Sequence, residues 1–141
     1  MSTAVSKGQA PAVPQARRAR GGGVALLVLQ VLLAVSFAAG GLLKLGGAHQ
    51  MVELFAKIGA GQWFRYLIGT LEIAGAAGVM IPALSGLAAL GLTGLMAGAA
   101  ITNAFIIHTS PVVPLALLIG GSVVAWARWP QAKALAGKLL R

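Results

Sequence analysis

Glu72 is the residue of this sequence whose type and position most strongly suggest chemistry. It is one of only two acidic residues among 141, and it lies near the middle of the apolar, helix-length stretch 66–81. A charged side chain at the centre of a membrane-spanning helix costs at least ~2.5 kcal/mol, so such a carboxylate normally faces a partner or a cavity. The sequence therefore places a candidate site at Glu72.

Four other polar residues are predicted to join Glu72 in the outer half of the membrane. Lys44 ends an apolar helix, and helical side chains lean toward the N-terminus of their own helix. Because the first helix runs outward and the second inward, Lys44 and Glu72 lean toward each other if the two helices are neighbours. Arg65 lies two turns above Glu72 on the same face, and the third helix carries two polar residues near its outer end. The predicted ligand-binding or proton site is Lys44, Arg65, Glu72, Thr102 and Asn103.

The sequence leaves three interpretations of this cluster open. Lys44 and Glu72 can form a buried ion pair that only fixes helix register, since removing one partner of such a pair costs roughly 3–5 kcal/mol. The cluster can instead bind a ligand or a proton. In the third interpretation the two side chains extend separately to the membrane surface without meeting.

Several other chemistries are disfavoured by the residues present. The sequence has no cysteine, which excludes disulfides, thiol redox chemistry and a cysteine-ligated iron–sulfur cluster within this chain. His49 and His108 are predicted on a surface helix and at a helix end, whereas a membrane haem needs paired histidines at similar depth. No HExxH motif, nucleotide-binding glycine loop or Ser-His-Asp set is present. We predict no catalytic residue and no metal site, and we do not expect the chain to be catalytic alone.

The composition predicts an all-α integral membrane protein. Hydrophobic residues make up 58% of the chain and charged residues only 9%, whereas soluble domains are about a quarter charged. Residues 46–62 have apolar positions at helical spacing and polar residues opposite, which predicts a short interfacial amphipathic helix. The predicted fold class is a four-helix membrane bundle within residues 21–130. Its predicted spans are at about 24–45, 63–81, 86–107 and 113–127.

Basic residues flank the membrane domain on both sides. Residues 1–20 are predicted to be a disordered basic N-terminal tail, and residues 131–141 a basic C-terminal tail. Four spans place both tails on one side, and the positive-inside rule makes that side cytoplasmic, with N-in and C-in topology. The net charge of +9 is therefore a topology signal, and we expect the lipid bilayer as a partner and no nucleic acid.

Small residues predict where helices approach one another. Gly40 and Gly41 lie one turn before Lys44 and would admit a close neighbour. Gly94 and Gly98, with Thr102 on the same face, form a small-xxx-small ridge that predicts helix packing.

The sequence resembles the DoxX-like family of small four-helix bacterial membrane proteins over about residues 24–128. The resemblance is carried by Phe37-Ala-Ala-Gly-Gly-Leu-Leu-Lys-Leu45 and by Trp63-Phe-Arg-Tyr-Leu-Ile-Gly-Thr-Leu-Glu-Ile-Ala-Gly75. The segments from Gly78 to Pro82 and from Gly86 to Gly91 continue it. Lys44 and Glu72 match recurrent polar positions of the family, and Asn103 stands near a position where relatives often carry a polar residue or histidine.

The resemblance implies a bacterial cytoplasmic (inner) membrane protein that is an accessory subunit of a redox or oxidative-stress assembly. The family takes its name from a membrane subunit of a thiosulfate:quinone oxidoreductase, so a quinone is the implied cofactor and a redox-enzyme subunit the implied partner. One alternative is a small proton-coupled transporter or permeation factor that acts as a homo-oligomer and uses Glu72 as its titrating group. Another alternative is a structural membrane scaffold without a ligand.

Overall fold

The computed structural model describes residues 13–141, with side chains described from residue 22 onward. Every regular element in this part of the chain is helical, which confirms the predicted all-α class. A π-helical segment, Thr102–Ile106, directly follows the fourth α-helix. The α-helices are α1 (Val13–Leu45), α2 (His49–Ile58), α3 (Gln62–Met80), α4 (Ser85–Ile101), α5 (Val112–Ala127) and α6 (Trp129–Leu139).

Helix α1 begins earlier than the sequence predicts. It starts at Val13, so residues 13–20 belong to a helix rather than to the predicted disordered tail. Pro14 is tolerated in the first turn of a helix, and the Ala, Gln and Arg residues that follow it are good helix formers. The rest of the predicted tail, residues 1–12, lies outside the described residues.

Each of the four predicted spans coincides with a helix, but length and composition alone support fewer crossings. In the described part of the chain, residues 22–45 and 85–106 are long and apolar enough to cross a membrane. A third crossing is obtained if α5 and α6, which meet at a bend of 68°, are counted as one broken span. Helix α3 has 19 residues, enough for a crossing, but Arg65 and Glu72 reduce its apolar character.

The helices surround a common apolar core. Helix α1 packs along α3, α3 against α4, α4 along α5, and α5 returns to α1. Phe37, Val79, Leu92 and Val124 are all almost fully buried where these helices meet. The helices at consecutive predicted spans are therefore neighbours, as the prediction of a Lys44–Glu72 contact requires.

A buried glutamine connects three helices at the end of the core that lies opposite to Lys44. Gln30 of α1 is 3% exposed, and its Nε2 donates a hydrogen bond to the Val79 carbonyl oxygen at 2.7 Å. Arg128 donates from Nη2 to Gln30 Oε1 at 3.0 Å. Since a buried amide is stable only when hydrogen-bonded, these contacts join α1, the end of α3 and the end of α5.

Glycines bring α1 and α3 into close contact, as Gly40 and Gly41 predict. A Cβ atom added to Gly41 would lie 2.6 Å from Ile73 Cγ1 and 2.8 Å from the carbonyl oxygen of Gly69. No side chain at position 41 fits without separating the two backbones. This crossing sets the distance between Lys44 and Glu72, which lie close to it on α1 and α3.

The prediction that Gly94 and Gly98 pack against a neighbouring helix is wrong within the part of the chain that the structure describes. A Cβ atom added to either glycine would have no neighbour within 4 Å. The tight α3–α4 contacts lie nearer the turn that joins these helices, where Gly75 meets Leu92 and Gly78 meets Ala88. Farther along α4 the ridge borders a cavity instead of a helix.

Candidate functional site

Lys44 and Glu72 form an ion pair between α1 and α3. The Lys44 Nζ donates to Glu72 Oε2 at 2.9 Å and to Oε1 at 3.1 Å. The Lys44 side chain is 15% exposed and the Glu72 side chain 5%. Elsewhere among the described side chains, His49 Nδ1 lies 3.5 Å from Glu53 Oε1, and both of these side chains are largely exposed. Of the sequence interpretations, the structure therefore excludes side chains that extend separately, and it retains a structural pair or a ligand or proton site.

Gly40 leaves the space that this ion pair occupies. A Cβ atom at Gly40 would lie 3.3 Å from Glu72 Oε2 and 3.7 Å from Lys44 Nζ. A larger side chain would press directly on the carboxylate. The two adjacent glycines thus have different effects, because Gly41 allows the helices to cross closely and Gly40 makes room for the charges.

Arg65 lies beside the ion pair but outside the cavity described below. It is 4% exposed and donates from Nη1 to the backbone carbonyl oxygen of Lys44. Its Nε donates to Gln62 Oε1 at 2.7 Å, and its guanidinium carbon lies 4.3 Å from the centre of the Tyr66 ring. The last carbonyl groups of a helix lack partners within the helix, so Arg65 caps the end of α1 and holds Lys44 in place.

A cavity of about 560 Å³ opens on the Lys44–Glu72 pair. It is lined by residues of α1, α2, α3, α4 with its π segment, and α5. This volume is typical of small-molecule sites, which combine apolar walls with a few polar groups. Apart from the ion pair, the polar side chains in its wall are Ser36, Thr102 and Asn103.

The π-helical segment brings Thr102 and Asn103 to the cavity. Thr102 Oγ1 donates to the Gly98 carbonyl oxygen at 2.8 Å, and Asn103 Nδ2 donates to the Ser110 carbonyl oxygen at 3.2 Å. The acceptors are both backbone carbonyl oxygens, so the side-chain oxygen of Asn103 takes part in neither hydrogen bond. Single-turn π segments occur often at functional sites because they change the direction of neighbouring side chains. Four of the five predicted site residues therefore share one cavity, and Arg65 supports it from outside.

Helix α2, which the sequence predicts at the membrane interface, also borders the site, and this was not predicted. Its apolar residues Met51, Leu54, Phe55 and Ile58 line the cavity. Helix α2 is followed by Gly59, whose φ of 80° is the left-handed conformation that favours glycine. The spacing i, i+3, i+4 and i+7 identified this apolar face, but it did not show that the face covers a cavity rather than lipid.

Within residues 22–141 no group of three His, Cys, Asp or Glu side chains is placed to hold a metal ion. His49 and His108 are both exposed and do not line the cavity. The polar chemistry of the cavity is therefore that of one ammonium, one carboxylate, an amide and two hydroxyl groups.

A family model described as the DoxX-like family matches residues 28–128. The chain belongs to the DoxX-like family. The match agrees with the extent expected from the sequence, about residues 24–128, and no curated protein and no solved structure matches the chain significantly.

The family match covers the whole of the site in this DoxX-like protein. Lys44, Glu72, Asn103 and the apolar face of α2 all fall inside the matched segment. Residues 129–141, which form α6 and the chain end, lie beyond it. The cavity therefore belongs to the part of the chain that defines its family membership.

Proposed function

We propose that this DoxX-like protein is an accessory membrane subunit that binds a lipid-soluble quinone in the cavity at Lys44 and Glu72. The observation that carries the proposal is a shielded ion pair in the wall of an otherwise apolar cavity. A pair that served only to join α1 and α3 would not require an adjacent space of this size. The cavity is what favours a ligand over a purely structural pair.

The hydrogen-bonding capacity of the site fits a quinone head group. A lysine ammonium has three N–H donors, and the Lys44 Nζ uses two contacts on Glu72. The remaining donor can serve a quinone carbonyl oxygen. On reduction, the resulting hydroxyl groups can donate to Glu72 or to the Asn103 side-chain oxygen, and the apolar faces of Phe37 and Phe55 suit a flat ring.

The membrane arrangement that we propose has four spans, formed by α1, α3, α4 with the π segment, and α5. Helix α3 is a span in this arrangement because Arg65 and Glu72 are buried against protein, while Leu67 and Leu71 are exposed toward lipid. Helices α2 and α6 lie at opposite interfaces. Both chain ends are then cytoplasmic, in a bacterial inner membrane, as the basic residues of α6 favour.

In this proposal the electron transfer belongs to a partner redox enzyme, and the DoxX-like chain supplies the membrane site for its quinone. The resemblance to a membrane subunit of an oxidoreductase supports this division. The chain itself contributes an ammonium, a carboxylate and an apolar enclosure. These groups bind and orient a ring and can exchange protons with it.

Affinity purification of the tagged protein from its native membranes in mild detergent tests the proposal, with mass spectrometry of co-purified proteins and extracted quinones. We expect a quinone and a redox-enzyme subunit with the wild type. Glu72→Gln should lower the retained quinone by about tenfold, the equivalent of losing about 1.4 kcal/mol of charge-assisted hydrogen bonding. Glu53→Gln is the matched control, because it makes the same change at the only other acidic residue, which is exposed.

Two results would contradict the proposal. One is equal quinone retention by wild type and Glu72→Gln, which would remove the ion pair from the site. The other is a wild-type homo-oligomer that carries only phospholipid. In that case pH-dependent flux through liposomes containing this protein alone would identify a proton-coupled transporter, and absence of flux would favour a scaffold.

A further inference from the structure

A second cavity adjoins the one at the ion pair. It lies between α3 and α4, has a volume of about 400 Å³, and is lined by leucine, alanine and glycine residues only. Leu95 belongs to the walls of both cavities. The cavity at Lys44 and Glu72, called the chamber below, is thus a neighbour of a purely hydrocarbon groove, and Leu95 borders both.

Helix contacts close the floor of this groove and leave its surface open. A Cβ atom at Gly75 would lie 2.5 Å from Leu92 Cδ2, and one at Gly78 would lie 2.8 Å from Ala88 Cβ. At the surface, Gly91 is exposed and a Cβ added there would meet nothing within 4 Å. An unfilled groove of this kind forfeits dispersion contacts along its whole lining, so it suits a hydrocarbon chain.

We propose that the groove between α3 and α4 binds the hydrocarbon tail of the same ligand whose head lies at Lys44 and Glu72. The inference rests on the proposed quinone-binding function and adds to it the binding site of the ligand's long apolar tail. The tail passes Leu95 and follows α3 and α4 toward the turn that joins them. The groove has no polar side chain and the chamber has five, which matches the two halves of such a ligand.

Two ligands and three glycine variants distinguish the contribution of the ligand's ring to the affinity from the contribution of its tail. The ligands are a decyl-tailed benzoquinone and the same ring without its tail, titrated in nanodiscs against ligand concentration in the lipid phase. Gly91→Leu fills the groove, Gly94→Leu fills the chamber wall, and Gly23→Leu is the control. A Cβ atom added to any of these glycines would meet nothing within 4 Å, so each substitution begins in open space.

We expect wild type and Gly23→Leu to bind the tailed quinone more tightly than the bare ring. Gly91→Leu should lose at least about fivefold in affinity for the tailed ligand alone, since packing rather than water exclusion drives association within lipid. Gly94→Leu should weaken both ligands. If Gly91→Leu does not fold, Ala74→Leu fills the groove from α3, because Ala74 also lines it and is exposed.

The outcomes distinguish the two proposals. If Gly91→Leu and Ala74→Leu keep the wild-type ratio of affinities for tailed and tail-free ligand, the tail groove is overturned while quinone binding stands. If the wild type binds neither ligand, the quinone function fails, and the inference fails with it.

Discussion

Replacing Lys44 with methionine should destabilise the folded protein by about 3–5 kcal/mol, because Glu72 would be left in a buried position without its partner. Methionine has nearly the length of lysine and preserves the packing of its stem. The loss therefore reports on the charge rather than on a void. Thermal unfolding in detergent, followed through the fluorescence of the three tryptophans, measures it.

Two companion variants make this prediction specific to the ion pair. Lys57→Met removes an exposed lysine from α2 and should leave the unfolding temperature near that of the wild type. The double variant Lys44→Met with Glu72→Leu removes both charges and should recover most of the lost stability, since apolar replacements of a buried pair are often neutral or stabilising. Equal unfolding temperatures for Lys44→Met and Lys57→Met would contradict the burial of the pair.

Gly41→Ala should cost about 1–3 kcal/mol of stability, although it adds a single methyl group. The added Cβ would lie 2.6 Å from Ile73 Cγ1, which can move, and 2.8 Å from the Gly69 carbonyl oxygen, which cannot move without its helix. Helices α1 and α3 must then separate. Separation also lengthens the contact between Lys44 and Glu72, so we expect weaker quinone binding as well.

The control for this second prediction lies on the same helix. Gly23→Ala adds a methyl group where nothing lies within 4 Å, and it should stabilise α1 slightly because alanine is the better helix former. Unfolding in detergent and quinone titration are measured on both variants. If Gly41→Ala is as stable as Gly23→Ala and binds quinone equally well, the close crossing is not what positions the pair.

The helices and the ion pair could be predicted from the sequence because each depends on local signals. Long apolar runs define the helices, and a carboxylate in such a run needs a partner. Helical phase and side-chain lean then select Lys44 as that partner once α1 and α3 are neighbours. The glycines at 40 and 41 indicate the same contact. These predictions require only the geometry of one helix and the adjacency of consecutive helices.

The cavity could not be predicted, because it depends on how far neighbouring helices diverge. Gly94 and Gly98 have the spacing of a packing ridge, and nothing local shows that they border a cavity instead of a neighbouring helix. The bond from Arg65 to the Lys44 carbonyl oxygen depends on the position of a helix end. The π segment at Thr102 is a similar case, since its sequence continues the apolar pattern of α4.

Photoaffinity labelling tests most directly the claim that the chamber at Lys44 and Glu72 is a quinone site. An azido-substituted, decyl-tailed quinone is activated on the purified protein, and the labelled residues are identified by mass spectrometry. We predict labels on the chamber residues Met51, Leu54 and Asn103, displaced by excess unlabelled quinone and lost in Gly94→Leu. Labels confined to lipid-exposed residues such as Leu42 and Trp126, undiminished by competitor, would contradict the account.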